Sequence, residues 1–311
     1  MLDALRHQFG DPIGYALPVF LLFIGVELLA LRFLDDEQAK GYHGRDTAAS
    51  LSMGVVSVGV GLFFRAGALL LYVVLWEHVA PWHVPTTWWS WVVLLVGVDF
   101  LFYWYHRFAH RVRLAWAAHQ AHHSSEYFNL GTALRQKWNQ WFEVLAWVPL
   151  PLLGFSPWTI YTAFSVNLIY QFFVHTEKVD RLPRWVEAVF NTPSHHRVHH
   201  GSDPEYLDRN YAGVLIVWDR LFGTFRAERH RPTYGLTSPV GTYDIVSLQF
   251  HEYGAILRDV RAAGRWRDRL GYVLGPPGWR PEHSGDGGGI PHPVVHRPRP
   301  GGVDGTPEHT P

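Results

Sequence analysis

The sequence contains no cysteine among its 311 residues. That absence excludes disulfides, cysteine zinc sites, thiolate-bound haem and ordinary iron–sulfur clusters. The sequence also has no excess of positive or negative charge, because 27 Lys+Arg balance 27 Asp+Glu. The overall charge therefore gives no indication of a nucleic-acid partner. Any metal or redox chemistry must therefore use other side chains, and the sequence has 20 histidines.

Long apolar runs occupy much of the first 175 residues, whereas the last third of the chain is polar. A run of about 18 or more apolar residues is long enough to cross a bilayer as a helix. Flanking Trp and Tyr fit a membrane–water interface better than the core of a large soluble protein. The five runs are Ile13–Leu31, Leu51–Trp76, Trp88–Tyr105, Trp141–Gly154 and Pro157–Val174. The fourth run is short, so we expect it to enter the membrane, and a full crossing is left open.

The distribution of Lys and Arg between the runs predicts their orientation. The 33–50 loop carries Lys40 and Arg45, and the 106–140 segment carries five basic residues, whereas the 77–87 loop has none. Positively charged loops stay in the cytosol, so these two basic segments are predicted to be cytosolic. The fold class that follows is all-α: a multi-pass integral membrane protein with about four to five membrane-embedded helices and a cytosolic His-rich helical cap. In a bacterium the membrane would be the inner one.

Histidines are clustered in four places that follow the apolar runs. The first group is HRFAH, the second is HQAHH, the third is a lone histidine four residues after Gln171, and the fourth is HHRVHH. Residues at i, i+3 and i+4 share one face of a helix, so each group projects its imidazoles together. The histidines are His106, His110, His119, His122, His123, His175, His195, His196, His199 and His200.

So many imidazoles exceed what one metal ion can use, and the pattern predicts two metals. Imidazole suits iron, zinc, copper and nickel. Iron at the membrane edge could activate O₂ for attack on a lipid C–H bond, whereas zinc could act only as a Lewis acid. Alternatives are a pH-sensing histidine cluster, a membrane metal transporter or sensor, and a scaffold with structural zinc. A transporter should place its metal ligands within its membrane spans, whereas these histidines follow the spans. Structural zinc needs only four ligands, and the sequence offers more.

The three histidine boxes resemble those of the fatty acid hydroxylase / sterol desaturase superfamily, a group of membrane di-iron oxygenases. The likeness covers roughly residues 90–226. Within the superfamily, the stretches 118–136 and 190–225 look most like the alkylglycerol monooxygenase branch and its bacterial relatives. This resemblance implies a membrane-bound enzyme that uses two iron ions and O₂ to hydroxylate a lipid, with a tetrahydropterin as reductant in the ether-cleaving branch.

The resemblance also implies which residues would hold the iron ions. The eight histidines of the boxes would be His106, His110, His119, His122, His123, His196, His199 and His200. His175 would be a ninth ligand, because relatives place a further ligand between the second and third boxes. His195 is left open between a ligand and a residue that supports one.

One residue departs from the pattern of the animal ether-cleaving enzymes. Arg111 follows the first box, where those enzymes carry an acidic residue. Two substrate hypotheses therefore stay open: cleavage of alkylglycerol ethers, and hydroxylation or desaturation of a fatty acyl, sterol or carotenoid chain. In the second case a separate protein would donate the electrons, since no electron-transfer domain is visible in the sequence.

Other polar residues are predicted to support the centre or to meet substrate. Asp219, Glu126 and Gln171 are expected to hold the ligating imidazoles, which need a partner for their second nitrogen. Arg135 and Gln136 could meet a lipid head group or lie at the level of the lipid phosphates. Asp99, within an apolar run, could line the lipid entry or brace a ligand.

The chain is predicted to have four regions. Residues 1–86 form N-terminal transmembrane helices, and residues 87–226 form the catalytic region. Residues 227–274 form a cytosolic cap with amphipathic stretches. Residues 275–311 are rich in Pro and Gly without periodicity and are predicted to be disordered.

Overall fold

Three long helices form the apolar half of the molecule. A computed structural model describes residues 12–34 and 39–281, and the remaining positions, with most of the predicted disordered tail, lie outside them. The three helices are α1 (Pro12–Phe33), α2 (Gly44–His78) and α3 (Trp88–Arg111). All three are long and apolar enough to cross a membrane. The chain is therefore a membrane protein, mostly helical, and the described residues contain no strand beyond two isolated bridges.

Within residues 39–281, nine shorter α-helices follow. They are α4 (Arg113–His123), α5 (Trp141–Ala146), α6 (Pro149–Leu152), α7 (Pro157–Phe173), α8 (Arg184–Val189), α9 (Pro193–His199), α10 (Val217–Leu221), α11 (Ile245–Ala262) and α12 (Trp266–Leu274). The fourth apolar run is thus two short helices instead of one. Pro149 and Pro151 explain the break, because proline lacks the amide proton that a continuous helix needs.

Helix α3 carries the first histidine box out of the apolar region. Thr87 and Ser90 form a reciprocal capping box at its start, which satisfies amides that a helix leaves unpaired. The helix continues beyond the apolar run to Arg111, so both histidines of the first box lie on its last two turns. The histidines and the membrane-spanning segment therefore share one rigid element.

A buried aromatic and aliphatic core lies between α2, α3, α7 and the two short helices. It contains Tyr72, Leu94, Val98, Trp147 and Ile160, each exposed by 4% or less. Close packing of these side chains stabilises the contact between the helices by van der Waals attraction. The core fixes the helices whose polar ends carry the histidines.

Helix α1 is attached to this unit by a buried carboxylate. Glu27 accepts hydrogen bonds from Tyr42 Oη at 2.5 Å and from the Leu130 amide at 2.9 Å, and also from Thr176. A buried carboxylate without such partners would be costly. Glu27 therefore ties the first helix to three loops, one of which begins next to His175.

Candidate metal centre

Nine buried or half-buried histidines form two adjoining groups. Within each group the candidate ligand nitrogens all lie within 4.8 Å of one another. The group of five consists of His106, His110, His119, His123 and His199; the group of four consists of His122, His175, His196 and His200. The rings of His123 and His200 stack at 4.3 Å between centroids, so the two groups share a boundary.

The groups do not follow the sequence boxes. The first box lies entirely in the group of five, but the second and third boxes are each divided between the two groups. On α4, His119 and His123 belong to the group of five, while His122 points into the group of four. On α9 and its C-cap, His199 belongs to the group of five and its neighbour His200 to the group of four. Helices α4 and α9, the latter with its C-cap residue, therefore each contribute to both groups.

Backbone carbonyls hold four of the imidazoles by their Nδ1 atoms. His106 Nδ1 lies 2.8 Å from the Tyr211 carbonyl, and His175 Nδ1 lies 2.7 Å from the Gln171 carbonyl. The remaining two pairs are His122 with the Arg135 carbonyl at 3.2 Å and His199 with the Arg209 carbonyl at 3.0 Å. A carbonyl only accepts, so each of these Nδ1 atoms carries the proton and each Nε2 has a free lone pair.

These Nε2 lone pairs converge. His122 Nε2 and His175 Nε2 are 3.3 Å apart, and neither has a proton to donate to the other. His106 Nε2 lies 2.9 Å from His119 Nε2, and His196 Nε2 lies 3.0 Å from His175 Nε2. Metal–imidazole bonds of about 2.1 Å at right angles place two ligand nitrogens about 3.0 Å apart. The spacing is that of neighbouring ligands of one ion.

Buried nitrogens without a partner also face these groups. The Nε2 atoms of His110, His199 and His200 are buried and make no hydrogen bond with any described residue. An unpaired buried polar atom costs free energy, so such a set is expected only where a ligand satisfies it. The donor set consequently fits two ions that prefer nitrogen ligands.

The histidines outside the spans are held neutral. Burial lowers the pKa of His175 to about 4. Burial and then the neighbouring imidazoles lower the pKa of the others well below the ordinary value; they are His119, His122, His123, His196, His199 and His200. Neutral imidazoles are the form that binds metal.

His195 is not in either group, although it belongs to the HHRVHH stretch. Its Nδ1 lies 3.3 Å from Thr192 Oγ1, and its ring packs edge-on against Phe225. Helix α9 turns this side chain away from its neighbour His196, because consecutive residues on a helix point about 100° apart. The ring lies beside the centre and does not point into it.

The residues predicted to support the ligands have different positions. Asp219 is fully buried and accepts from the Tyr211 and Ala212 amides at 2.8 Å, so it fixes the peptide whose carbonyl holds His106. Gln171 holds His175 through its backbone carbonyl, not its side chain. Glu126 is exposed, and no hydrogen bond links its side chain to a histidine among the described residues.

The residues predicted to meet substrate make contacts within the protein. Arg135 is 1% exposed and pairs with the buried Asp46 at 2.7 Å, so its guanidinium is occupied inside the fold. The Gln136 amide donates to the Ala133 carbonyl. Asp99 accepts from the Val214 and Leu215 amides, from Trp218 and from Asn167, so it braces the loop before α10.

Two charged contacts lie beside the histidines of the centre. Asp208 Oδ1 lies 3.7 Å from His110 Nδ1, and Asp208 Oδ2 accepts from Arg111 at 2.9 Å. Burial alone would raise the pKa of this carboxyl, but His110 and Arg111 outweigh burial and lower it. Asp208 has φ 59°, a conformation tolerated better by Asp than by most residues. A carboxylate eight residues beyond a box gives no periodic signal.

The second charged contact is made by Arg197, within the last histidine box. Arg197 is fully buried and forms two hydrogen bonds to the Glu228 carboxylate, at 2.8 and 2.7 Å. It also donates to the Thr176 carbonyl at 3.1 Å, next to His175. The bidentate pair fixes α9 against the segment that carries Glu228, and the bond to Thr176 fixes it against the loop that carries His175. Glu228 is distant from Arg197 in the sequence, so no local pattern indicates this pair.

Comparison with known proteins agrees with the site. Residues 91–224 match the family model described as fatty acid hydroxylase. The resemblance predicted from the histidine boxes is therefore confirmed for this region of the chain. No solved structure matches the chain.

The similar proteins include alkylglycerol monooxygenases and a lipid hydroxylase. The chain is 41% identical to alkylglycerol monooxygenase of Homo sapiens over 279 residues, which cover 87% of this chain and 60% of the human protein. It is 42% identical to that of Danio rerio over 268 residues, 83% of this chain and 58% of that protein. Ornithine lipid hydroxylase OlsE of Rhizobium tropici is 29% identical over 161 residues, 51% of this chain and 47% of that protein. The chain thus spans about three fifths of the length of these monooxygenases.

Proposed function

We propose that the protein is a membrane-bound non-haem di-iron monooxygenase that uses O₂ to hydroxylate a lipid and cleaves alkylglycerol ethers. The observation that carries the proposal is the pair of adjoining groups of five and four histidines, the first of which includes both histidines at the end of the apolar helix α3. The identity with alkylglycerol monooxygenases over most of the chain supports the choice of substrate.

The two histidine groups would each hold one iron ion, through the nine residues of the groups. Bound iron would supply the reduction of O₂ that an imidazole cannot perform. The chain itself supplies neutral ligands, fixed in orientation by backbone carbonyls, and excludes water by burying the rings. His195 would be a neighbour that supports α9, not a ligand.

The proposed reaction inserts one oxygen atom of O₂ into the C–H bond next to the ether oxygen. The second oxygen atom leaves as water and takes up two electrons and two protons from the reductant. The resulting hemiacetal breaks its bond to the ether oxygen, and the products are a fatty aldehyde and glycerol. A tetrahydropterin is the proposed reductant; a separate electron-donor protein is the alternative.

The proposed membrane arrangement places the centre at the cytosolic face. Helices α1, α2 and α3 would cross the bilayer. The short helices α5 and α6 would together enter it as one segment, and α7 would return the chain to the cytosolic side. This arrangement gives four to five membrane-embedded segments. Residues 1–86 would then form the membrane anchor and residues 87–226 the catalytic region, with residues 227–274 as the cap. Lipid substrate would reach the histidines laterally from the bilayer.

Arg111 is compatible with this proposal because its partner lies on the outer side of the centre. Its guanidinium pairs with Asp208, and that carboxylate in turn lies near His110 Nδ1. The pair would orient His110 while leaving its Nε2 atom free to bind metal. A basic residue at position 111 would therefore contact Asp208, which supports His110, and would not contact the reacting carbon.

A single assay tests the proposal. The full chain is purified in detergent, loaded with ferrous iron, and given O₂, a tetrahydropterin and a long-chain alkylglycerol, and fatty aldehyde is measured by mass spectrometry. Aldehyde is expected only when iron and pterin are both present. His199→Ala should abolish both iron retention and aldehyde formation, while His78→Ala, whose ring is exposed at the far end of α2, should keep both.

Absence of aldehyde from iron-loaded protein would overturn ether cleavage. The second candidate, hydroxylation of a different membrane lipid, is favoured by the similarity to ornithine lipid hydroxylase OlsE. Total lipids incubated with the enzyme and O₂ would then gain the mass of one oxygen atom in one lipid class. Full activity in His199→Ala would overturn the metal assignment itself.

A further inference from the structure

Helices α11 and α12 carry apolar side chains that no described residue covers. On α11 these are Val246, Phe250 and Leu257, exposed by 54%, 48% and 48%; on α12 they are Trp266, Leu270 and Leu274, exposed by 65%, 47% and 57%. Spacings of four, seven and eight residues place each set on one helix face. Two consecutive helices thus each present an apolar stripe outward.

The exposed charged residues within the same two helices are all arginines: Arg258, Arg261, Arg267 and Arg269, with Arg265 exposed between the helices. The exposed Asp244 lies outside them and caps the start of α11. The acidic residues of this segment are occupied or buried: Glu252 and Asp259 both pair with Arg113, and Asp268 is 8% exposed. An apolar face flanked by arginine is the composition of helices that lie in the interface of an anionic membrane.

The apolar stripe of α11 continues onto the lipid-facing surface of α2. The Phe250 ring lies 6.0 Å from the Trp138 ring, and the Trp138 indole donates to the Met53 carbonyl of α2. Just beyond Met53 the surface of α2 becomes apolar and open, with Val55 and Val58 exposed by 74% and 64%. Phe250 therefore lies at the level where α2 is expected to enter the bilayer.

We propose that α11 and α12 form a hairpin that lies in the head-group region of an anionic bilayer, with the apolar stripes toward the acyl chains and the arginines on the lipid phosphates. This inference does not rest on the proposed chemistry, only on α2 crossing the membrane. It changes the character of the region 227–274 from a water-facing cap to a membrane-bound one.

The hairpin would set the depth of the histidine centre. Gln120, on the helix that carries the second box, is fully buried and donates to the Leu248 carbonyl of α11 at 2.7 Å. Arg113, at the start of that same helix, bonds to Glu252 and Asp259 of α11. Because α4 is fixed to α11, anchoring α11 in the interface holds the second histidine box at a constant distance from the acyl chains.

Site-directed spin labelling can test this, since the chain has no native cysteine to compete. The full chain carrying Leu257→Cys or Leu270→Cys is labelled with a nitroxide and placed in nanodiscs of phosphatidylcholine with phosphatidylglycerol. Accessibility to O₂, which concentrates in the bilayer, is compared with accessibility to a water-soluble nickel chelate. Val58→Cys serves as the lipid-facing reference, and Glu205→Cys, on an exposed loop, as the water-facing one.

High O₂ and low nickel accessibility at both hairpin positions, as at the Val58→Cys reference, is the expected result. Nickel accessibility equal to that of the Glu205→Cys reference would overturn the proposal. Low accessibility to both reagents would also overturn it, because the face would then be covered by protein, such as a second copy or another part of the chain. Protection should weaken in pure phosphatidylcholine and in Arg261→Gln/Arg265→Gln; unchanged protection would refute the role of the arginines.

Discussion

His122 and His123 are consecutive residues, yet their imidazoles belong to different histidine groups. Their ring planes are 86° apart, and the ring centroids are 5.3 Å apart. His122 points toward His175, whereas His123 lies beside His110 and His119. One helix thus serves both groups, and this division can be tested one ion at a time.

We expect His122→Ala and His123→Ala each to lose about half of the bound iron, because each would remove a ligand from one group only. Both should abolish turnover, since the proposed reaction needs both ions. His195→Ala should keep the full iron content, because its ring lies outside both groups. Metal analysis by mass spectrometry of the three purified proteins decides this. Equal loss in His195→Ala would mean that His195 is a ligand.

The buried Asp219 carboxylate should control metal affinity without touching metal. It holds the Tyr211–Ala212 peptide, and the Tyr211 carbonyl orients His106. We expect Asp219→Ala to weaken iron binding by about 10–100-fold, as is usual when the partner of a ligating histidine is lost. Competition with a calibrated chelator measures it.

Asp203→Ala is the matched control for Asp219→Ala. Asp203 lies close to the last box in sequence but accepts hydrogen bonds from Thr233. Iron affinity in this variant should be that of the unmodified chain. An equal loss in both variants would show that the effect is a general loosening of the fold.

We expect Arg135 to stabilise the fold and not to bind substrate. Its pair with Asp46 is buried, at 1% and 5% side-chain exposure. Removing one partner of a buried pair leaves the other charge unpaired and costs about 3–5 kcal/mol. Arg135→Met should therefore lower the unfolding temperature in detergent markedly.

The double variant Arg135→Met/Asp46→Leu separates the two explanations. It removes both charges, so much of the lost stability should return. If the KM for the lipid rises in the double variant while its stability recovers, Arg135 contacts substrate and the structural explanation fails.

The metal-free protein should lose stability on acidification. The pKa of His175 falls from the ordinary 6.5 to about 4 on folding, because the ring is buried. Between these pH values the unfolded chain binds more protons than the folded chain, so the free energy of unfolding decreases as pH falls from 6.5 to 4. Denaturant unfolding of the chelator-treated chain at several pH values measures the slope. His175→Gln should show a shallower slope, and an identical slope would assign the effect to other groups.

The sequence by itself determined the apolar helices, because the length of a hydrophobic run fixes whether a helix can span a bilayer. It also determined which histidines could meet, since spacings of three and four residues share a helix face. Boundaries were less predictable: α3 continues six residues past its apolar run, and Pro149 and Pro151 divide the fourth run.

Only the tertiary structure decided how the histidines divide. His119, His122 and His123 share one face within about 100° on a helical wheel, yet helix packing places His175 beside one and His110 beside the others. It also decided that Arg135 faces Asp46, and that Asp208 and Glu228 reach His110 and Arg197. These contacts join residues distant in sequence, and no local periodicity records such a pairing.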